Sequence, residues 1–401
     1  MNKTPKRLAN FSAVIDDFSS APFRLFFLTG SVIGIIAALC WSVAMLGFWK
    51  VPTDPLNLHI FLFLQSLAGA VYAGFLFTAI PEWTHDAMPL KRFMQPMWLL
   101  WLVATLVAFG SLKAGLTIMV CYWIFVFILA TWFVWKHRDD RHISILIFIG
   151  ATLMMTVWLS VQSWAIGTVT PFDWQQLLHI EITGIALITF RISRALGTQA
   201  LEDNGQLDSR FIPNPFYKNL AVWLFYTLVI SNLILHNTVI EGWINLAIAG
   251  VMIGRLREWH FAVLLKRHYV RWLYLTMLVI GIGYGWRGFA LIGASQLPIF
   301  NPVLPFHLIA IGGLLLMIYQ VFNIAGLRHS GLDLIYPVIN RLALVCLLLA
   351  ALSRSVGVGL GGNYMWFAIY FPSMLVSSAF LVYLPIFYRI FMKYPATSPD
   401  D

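Results

Sequence analysis

His59, His179, His236 and His307 are the residues of this chain best suited to chemistry, because each stands at the edge of a long apolar run. Imidazole is the usual protein ligand for haem iron, copper and zinc. Helical bundles build such sites from side chains on facing helices. Glu181, two residues beyond His179, offers a carboxylate as a proton relay, a metal ligand or a partner for a buried arginine. Its spacing of two puts it on a different helix face from His179. The structural alternative for each histidine is a place at the lipid–water boundary, bonded to headgroups or loop backbone. For Glu181 it is snorkelling to the surface. Arg341 lies about two turns into another apolar run, where it needs an acidic or carbonyl partner or must reach back to the interface.

The elements that must position these groups are the apolar runs themselves. They read as Leu25–Trp49, His59–Ile80, Phe93–Gly110, Leu116–Trp135, Ile143–Ile166, Leu177–Phe190, Leu220–Leu235, Trp243–Leu256, Trp272–Leu291, Leu304–Ala325, Leu334–Leu352 and Tyr364–Tyr388. Most match the roughly twenty residues that cross a bilayer as a helix. They are apolar on every face, whereas a transmembrane barrel would alternate. Hydrophobic residues make up 60% of the 401 residues and charged residues 11%, with a mean hydropathy of +0.80. A soluble domain carries about 25% charged residues. The sequence therefore predicts an all-α, polytopic membrane bundle of about twelve helices with the lipid bilayer as its solvent. The sixth and eighth runs are the shortest and carry charge near their ends.

Placement of Lys and Arg gives the orientation. With the N-terminus in the cytoplasm, nearly all of the 26 basic residues fall inside, leaving Lys50, Lys113, Arg287 and Arg354 outside and Arg341 within a run. Both termini are then cytoplasmic. The net charge of +9 is a topology signal, and its scatter over short inner loops argues against a nucleic-acid partner. On this topology His59, His179, His236 and His307 all lie near the outer surface, while His85, His137, His142, His260, His268 and His329 lie among the inner loops. Residues 1–20 form a polar cytoplasmic segment, and 21–395 a single transmembrane domain. Its halves, 21–197 and 218–395, are joined by a cytoplasmic loop at 198–217. Residues 396–401 read as a disordered tail. No internal repeat is evident. Cys40, Cys121 and Cys346 lie inside runs as packing residues, with no disulfide, Cys-x-x-Cys or haem-attachment pattern. There is no Walker loop or dinucleotide fingerprint. Gly30, Gly34, Gly69 and Gly74 mark faces where helices approach closely, and Gly281, Gly283 and Gly285 either do the same or loosen their helix.

Several strings carry a family resemblance. Ala21-Pro22-Phe23-Arg24-Leu25-Phe26-Phe27-Leu28 opens the first run. His59 is followed by Ala73-Gly74-Phe75-Leu76-Phe77-Thr78-Ala79-Ile80-Pro81-Glu82-Trp83-Thr84. Then come Arg255-Leu256-Arg257-Glu258-Trp259-His260, Tyr284-Gly285-Trp286, His307 with Gly312-Gly313, His329-Ser330-Gly331, Arg354 and Leu384-Pro385-Ile386. In order and spacing, over nearly the whole chain, these resemble the NnrS family. The resemblance implies a bacterial inner-membrane protein of nitric oxide metabolism, in denitrification or protection against nitrosative stress. It implies haem and copper held by membrane histidines. By position His59, His307 and His329 match family histidines, and Arg24 matches an early family arginine. The chain also departs from the pattern. Phe61 and Leu62 stand where the first motif has a histidine and a glutamate, Gly281 where a family histidine falls, and Leu332 and Ile324 where arginines are expected. Neither Phe nor Gly can donate to a metal.

Three functions are consistent with these features. One is a haem- or copper-binding protein that handles nitric oxide, as catalyst, sensor or store. Another is a non-enzymatic transporter or exporter of a small solute with Glu181 and Arg341 in its path. The third is a degenerate partner subunit without a full metal centre. The substituted Phe61, Leu62 and Gly281 favour the second and third over a full haem–copper centre, while the four outer histidines favour the first, which stands narrowly ahead of the transporter.

Overall fold

Hydrocarbon offers no partner to a free backbone N–H or C=O, and the apolar runs accordingly fold as helices. The computed structural model describes residues 18, 20–48, 50–84, 90–137, 142–261, 263–293, 301–359, 365–394 and 396. The N-terminal segment expected to end at residue 20 lies almost wholly outside the described residues, as do His85, Trp49 and the tail from residue 397. Among the described residues there are twelve long helices and no strand. They are α1 Pro22–Met45, α2 Pro55–Trp83, α3 Lys91–Gly110, α4 Leu112–His137, α5 Ile143–Ala165, α6 Pro171–Glu202, α7 Pro215–Leu235, α8 Thr238–Trp259, α9 His268–Ile292, α10 Leu304–Arg328, α11 Val338–Gly357 and α12 Trp366–Lys393. All but α6 are long and apolar enough to cross a membrane.

α6 is the longest, at 32 residues, although its apolar run covers only Leu177–Phe190. Asp173, Arg191 and Arg194 cut that run short in sequence. In the structure residues 177–189 are buried on every side, so this helix meets protein rather than lipid and can carry polar groups that a lipid-facing helix cannot. It also extends to Glu202, into the expected 198–217 loop.

Helix starts follow capping chemistry. Asp54 accepts from the Asn57 N–H at 2.9 Å ahead of Pro55. Asn214 does the same ahead of Pro215, and Asn237 caps α8 through the Val239 and Ile240 N–H groups. A side-chain oxygen there satisfies donors the helix leaves open, and proline has none to lose.

Two compact units share the chain and cross its sequential halves. One comprises residues 1–177, 321–343 and 376–401, the other 178–320 and 344–375. In the first unit α1 packs on α2, and α3, α4 and α5 pack in series. A Cβ at Gly34 would lie 2.8 Å from the Phe380 ring and one at Gly74 2.9 Å from Phe26, so the small residues do mark close approaches. α2 contains a π-helical stretch, Leu62–Leu67. Such a stretch takes carbonyls out of the ordinary ladder. Trp101 Nε1 donates to the Ser66 carbonyl at 2.7 Å, and Tyr122 Oη to the Gly69 carbonyl at 2.8 Å. Gln65, fully buried, donates to Thr156 and accepts from Trp123, each at 2.9 Å.

In the second unit α7, α8 and α9 pack in series, and α9 packs on α10. α10 has its own π-helical stretch, Leu308–Leu315, starting directly after His307. Of the cysteines only Cys40 is buried; Cys121 lies on an exposed face of α4 and Cys346 is half-buried. The expected interior packing therefore holds for one of the three.

Candidate functional site

His179 is the ninth residue of α6, about 12 Å along the helix from its start. It is fully buried. Its Nδ1 lies 2.8 Å from the Tyr284 hydroxyl on α9. Phe306 of α10 stands beside the imidazole, ring centroids 6.0 Å apart. Nε2 has no hydrogen-bond partner among the described residues. One nitrogen is thus anchored and the other is left over. Second-shell partners of metal-bound histidines fix ring and tautomer in this way. Ligation through Nε2 requires Nδ1–H to donate to the tyrosine oxygen.

One turn beyond Tyr284 on α9 comes Arg287. Its Nε donates to Glu241 Oε1 at 3.1 Å, Nη2 reaches the same oxygen, and Nη1 donates to the Pro302 carbonyl at 2.9 Å. The guanidinium lies 3.8 Å from the Phe306 ring centroid. Both charges are buried, and burial is tolerable because they are paired. Glu241 lies in the first turn of α8, where the helix dipole favours an anion. Arg287 thus holds Phe306 at one side while Phe306 flanks His179 at the other.

In the first unit, His59 Nδ1 sits 3.0 Å from the Ala37 carbonyl on α1, with Trp41 and Phe63 around the ring. His329 Nδ1 lies 3.2 Å from Glu82, against the Phe23 ring. Arg24 is fully buried and donates to the Phe391 and Tyr394 carbonyls at 2.9 and 2.6 Å, where α12 ends. In the second unit, His307 is half-buried and follows Phe306 directly. Glu181 is buried on α6. His236 is exposed and ends α7 with a left-handed φ of 47°. Arg341 belongs to the first turn of α11, which starts at Val338, and is exposed. The expected depth of two turns is not there, because the preceding residues from Leu334 are not helical. Among the described residues no three of His, Cys, Asp and Glu gather as a metal cluster.

His236 occupies a backbone conformation that costs an L-residue about 1 kcal/mol. Exchange to glycine is expected to raise thermal stability slightly and leave any bound cofactor in place. Measurement of melting and cofactor content on His236→Gly checks both, and loss of cofactor would restore His236 to the ligand set.

Tyr284 and the Glu241–Arg287 pair are absent from the sequence-derived site. Tyr284 lies within a family-like string but gives no sign of facing span six. Glu241 and Arg287 could be seen only as opposite charges near the outer ends of consecutive spans.

The departures from the family pattern are filled by packing. Phe61 and Leu62 are fully buried. A Cβ at Gly281 would already lie 2.8 Å from the Ile253 side chain, so an imidazole there requires that side chain to move. The architecture is that of a multi-pass helical membrane protein with a buried polar site in one of its units. The chain belongs to the NnrS family: that family's model, described as NnrS protein, matches residues 17–394. No curated protein matches the chain.

Proposed function

We propose that the protein binds haem through His179 Nε2 and serves in the handling of nitric oxide at a bacterial inner membrane. The observation that carries this reading is the buried imidazole with one nitrogen tied to Tyr284 and the other without a partner. Family membership supports it. Haem iron is held by protein side chains such as histidine, and His179 would supply one. A closed copper or zinc site needs three or four, and the described residues offer no such cluster; copper is the less favoured group. Bound haem would supply an iron position at which nitric oxide coordinates. The chain's own residues set the conditions. Tyr284 fixes the imidazole tautomer, Phe306 excludes water from the ring, and the Glu241–Arg287 pair keeps Phe306 in place. The transporter reading loses Arg341, which is exposed, and keeps Glu181.

The test is an ultraviolet–visible spectrum with iron and copper analysis on protein purified in mild detergent from haem-replete cells. A Soret band that shifts with nitric oxide, with iron and without matching copper, is expected. A colourless, metal-free protein would overturn the haem reading and move attention to Glu181, whose Glu181→Gln variant should then impair solute flux in reconstituted vesicles.

A further inference from the structure

The second unit carries more buried polar groups than His179 and its partners account for. Along one side of α6 lie His179, Thr183, Thr189 and Ser193, all fully buried. α8 presents Glu241, Asn245 and Arg255 on one buried face. The two rows meet where Arg255 donates from Nη1 to Thr189 at 3.0 Å and from Nη2 to Ser193 at 3.1 Å. Glu258, 3.8 Å from the Arg255 Nε, offsets its charge at that end. Between Thr183 and Thr189 lies a gap of about 9 Å along α6. By helical rise, Thr276, four residues before Ile280 on α9, falls within that gap, and Gln320, seven residues after Gly313 on α10, falls about level with Thr189. Gly313 of α10 is level with Ile182 of α6 and Ile280 of α9. Gln320, about two turns further along the parallel α10, donates to Thr276 there.

Two atoms in this interior point to what fills it. Gln320 Oε1 and Asn245 Oδ1 belong to fully buried side chains and have no hydrogen-bond partner among the described residues. Buried polar atoms without protein partners take ordered water. Thr183, Thr189 and Ser193 donate to the His179, Ala186 and Thr189 carbonyls of their own helix, so a proton passes along the row only as these hydroxyls rotate towards intervening water, which both donates and accepts.

We propose that this row is a hydrated proton route. It enters beside Arg255 and Glu258, passes Ser193, Thr189, the Gln320–Thr276 pair and Thr183, and ends on His179 and Tyr284. The Glu241–Arg287 pair closes the far end. The route moves protons only and does not depend on a cofactor at His179.

Deuterium oxide is the probe. Protein with nitrogen-labelled histidine, in lipid nanodiscs and with any haem it carries in a diamagnetic state, is followed by NMR. The His179 ring N–H signal is assigned by its loss in His179→Gln. Exchange in the unaltered protein is expected despite full burial, and Thr189→Val/Ser193→Ala is expected to slow it by roughly tenfold or more. Gln320→Leu, which leaves the partners of Arg255 intact, is expected to slow it likewise if the double variant does not fold. Absence of exchange in the unaltered protein, or an unchanged rate in the folded variants, would overturn the route. The spectrum of the same samples reports cofactor content separately, so a failure of the haem reading is distinguishable.

Discussion

Glu241→Ala is expected to destabilise the protein by about 3–5 kcal/mol, the cost of leaving a buried charge without its partner. Arg287 would keep one carbonyl acceptor, Pro302, and the face of Phe306. Neither neutralises a guanidinium that is almost wholly excluded from water. Arg287→Met should cost a similar amount by stranding the Glu241 carboxylate. The combination Glu241→Leu/Arg287→Met should recover most of the loss, since a buried pair replaced by apolar groups of similar volume is often neutral. Thermal melting of the three variants in one detergent checks this. If the single variants melt like the unaltered protein, the pair is not the clasp described here. A second consequence follows from Phe306, which touches both Arg287 and His179. Breaking the pair frees that ring and should perturb the surroundings of His179 even where the fold survives.

Arg24→Met is expected to cost about 3 kcal/mol or more, given about 1.5–3 kcal/mol for each charged hydrogen bond. The last carbonyls of a helix have no partner within it, and a cation there also meets the negative end of the dipole. Arg24 supplies both, and its guanidinium lies 5.1 Å from the Phe391 ring centroid. Methionine keeps bulk and removes the donors. Arg24→Lys should restore only part of the stability, because an ammonium cannot span two carbonyls as a planar fork does. Amide exchange near the end of α12 should rise in Arg24→Met, while cofactor per folded molecule stays unchanged. A selective loss of cofactor would make Arg24 a binding residue and not a helix clamp.

The spans were legible because lipid imposes one rule on every residue it touches. α1 through α5 begin and end close to their apolar runs, apart from short polar extensions. α6 was legible only in a little under half of its length, since its ends are polar and partly exposed while its middle is shielded by protein, and hydropathy reports neither the polar extensions nor the shielding. The histidines were visible, but their neighbours were not. The His179–Tyr284 contact joins residues 105 positions apart, and no periodicity reports which helices face each other. His236 could have been set aside earlier. A residue directly before an Asn N-cap and at the end of an apolar run sits where chains turn, and histidine tolerates the left-handed conformation better than most. The π-helical stretches after His59 and His307 left no sign in their apolar sequences. Gln65, next to Ser66 deep in α2, drew no attention, yet it joins Trp123 and Thr156.

The most direct measurement is the spectrum of His179→Gln beside those of His59→Gln and His307→Gln, each purified in the same detergent from haem-replete cells. The proposed role of His179 as ligand predicts that the Soret band and bound iron disappear in His179→Gln while His59→Gln, altered at a half-buried histidine, retains them. An unchanged Soret band in folded His179→Gln would contradict that role.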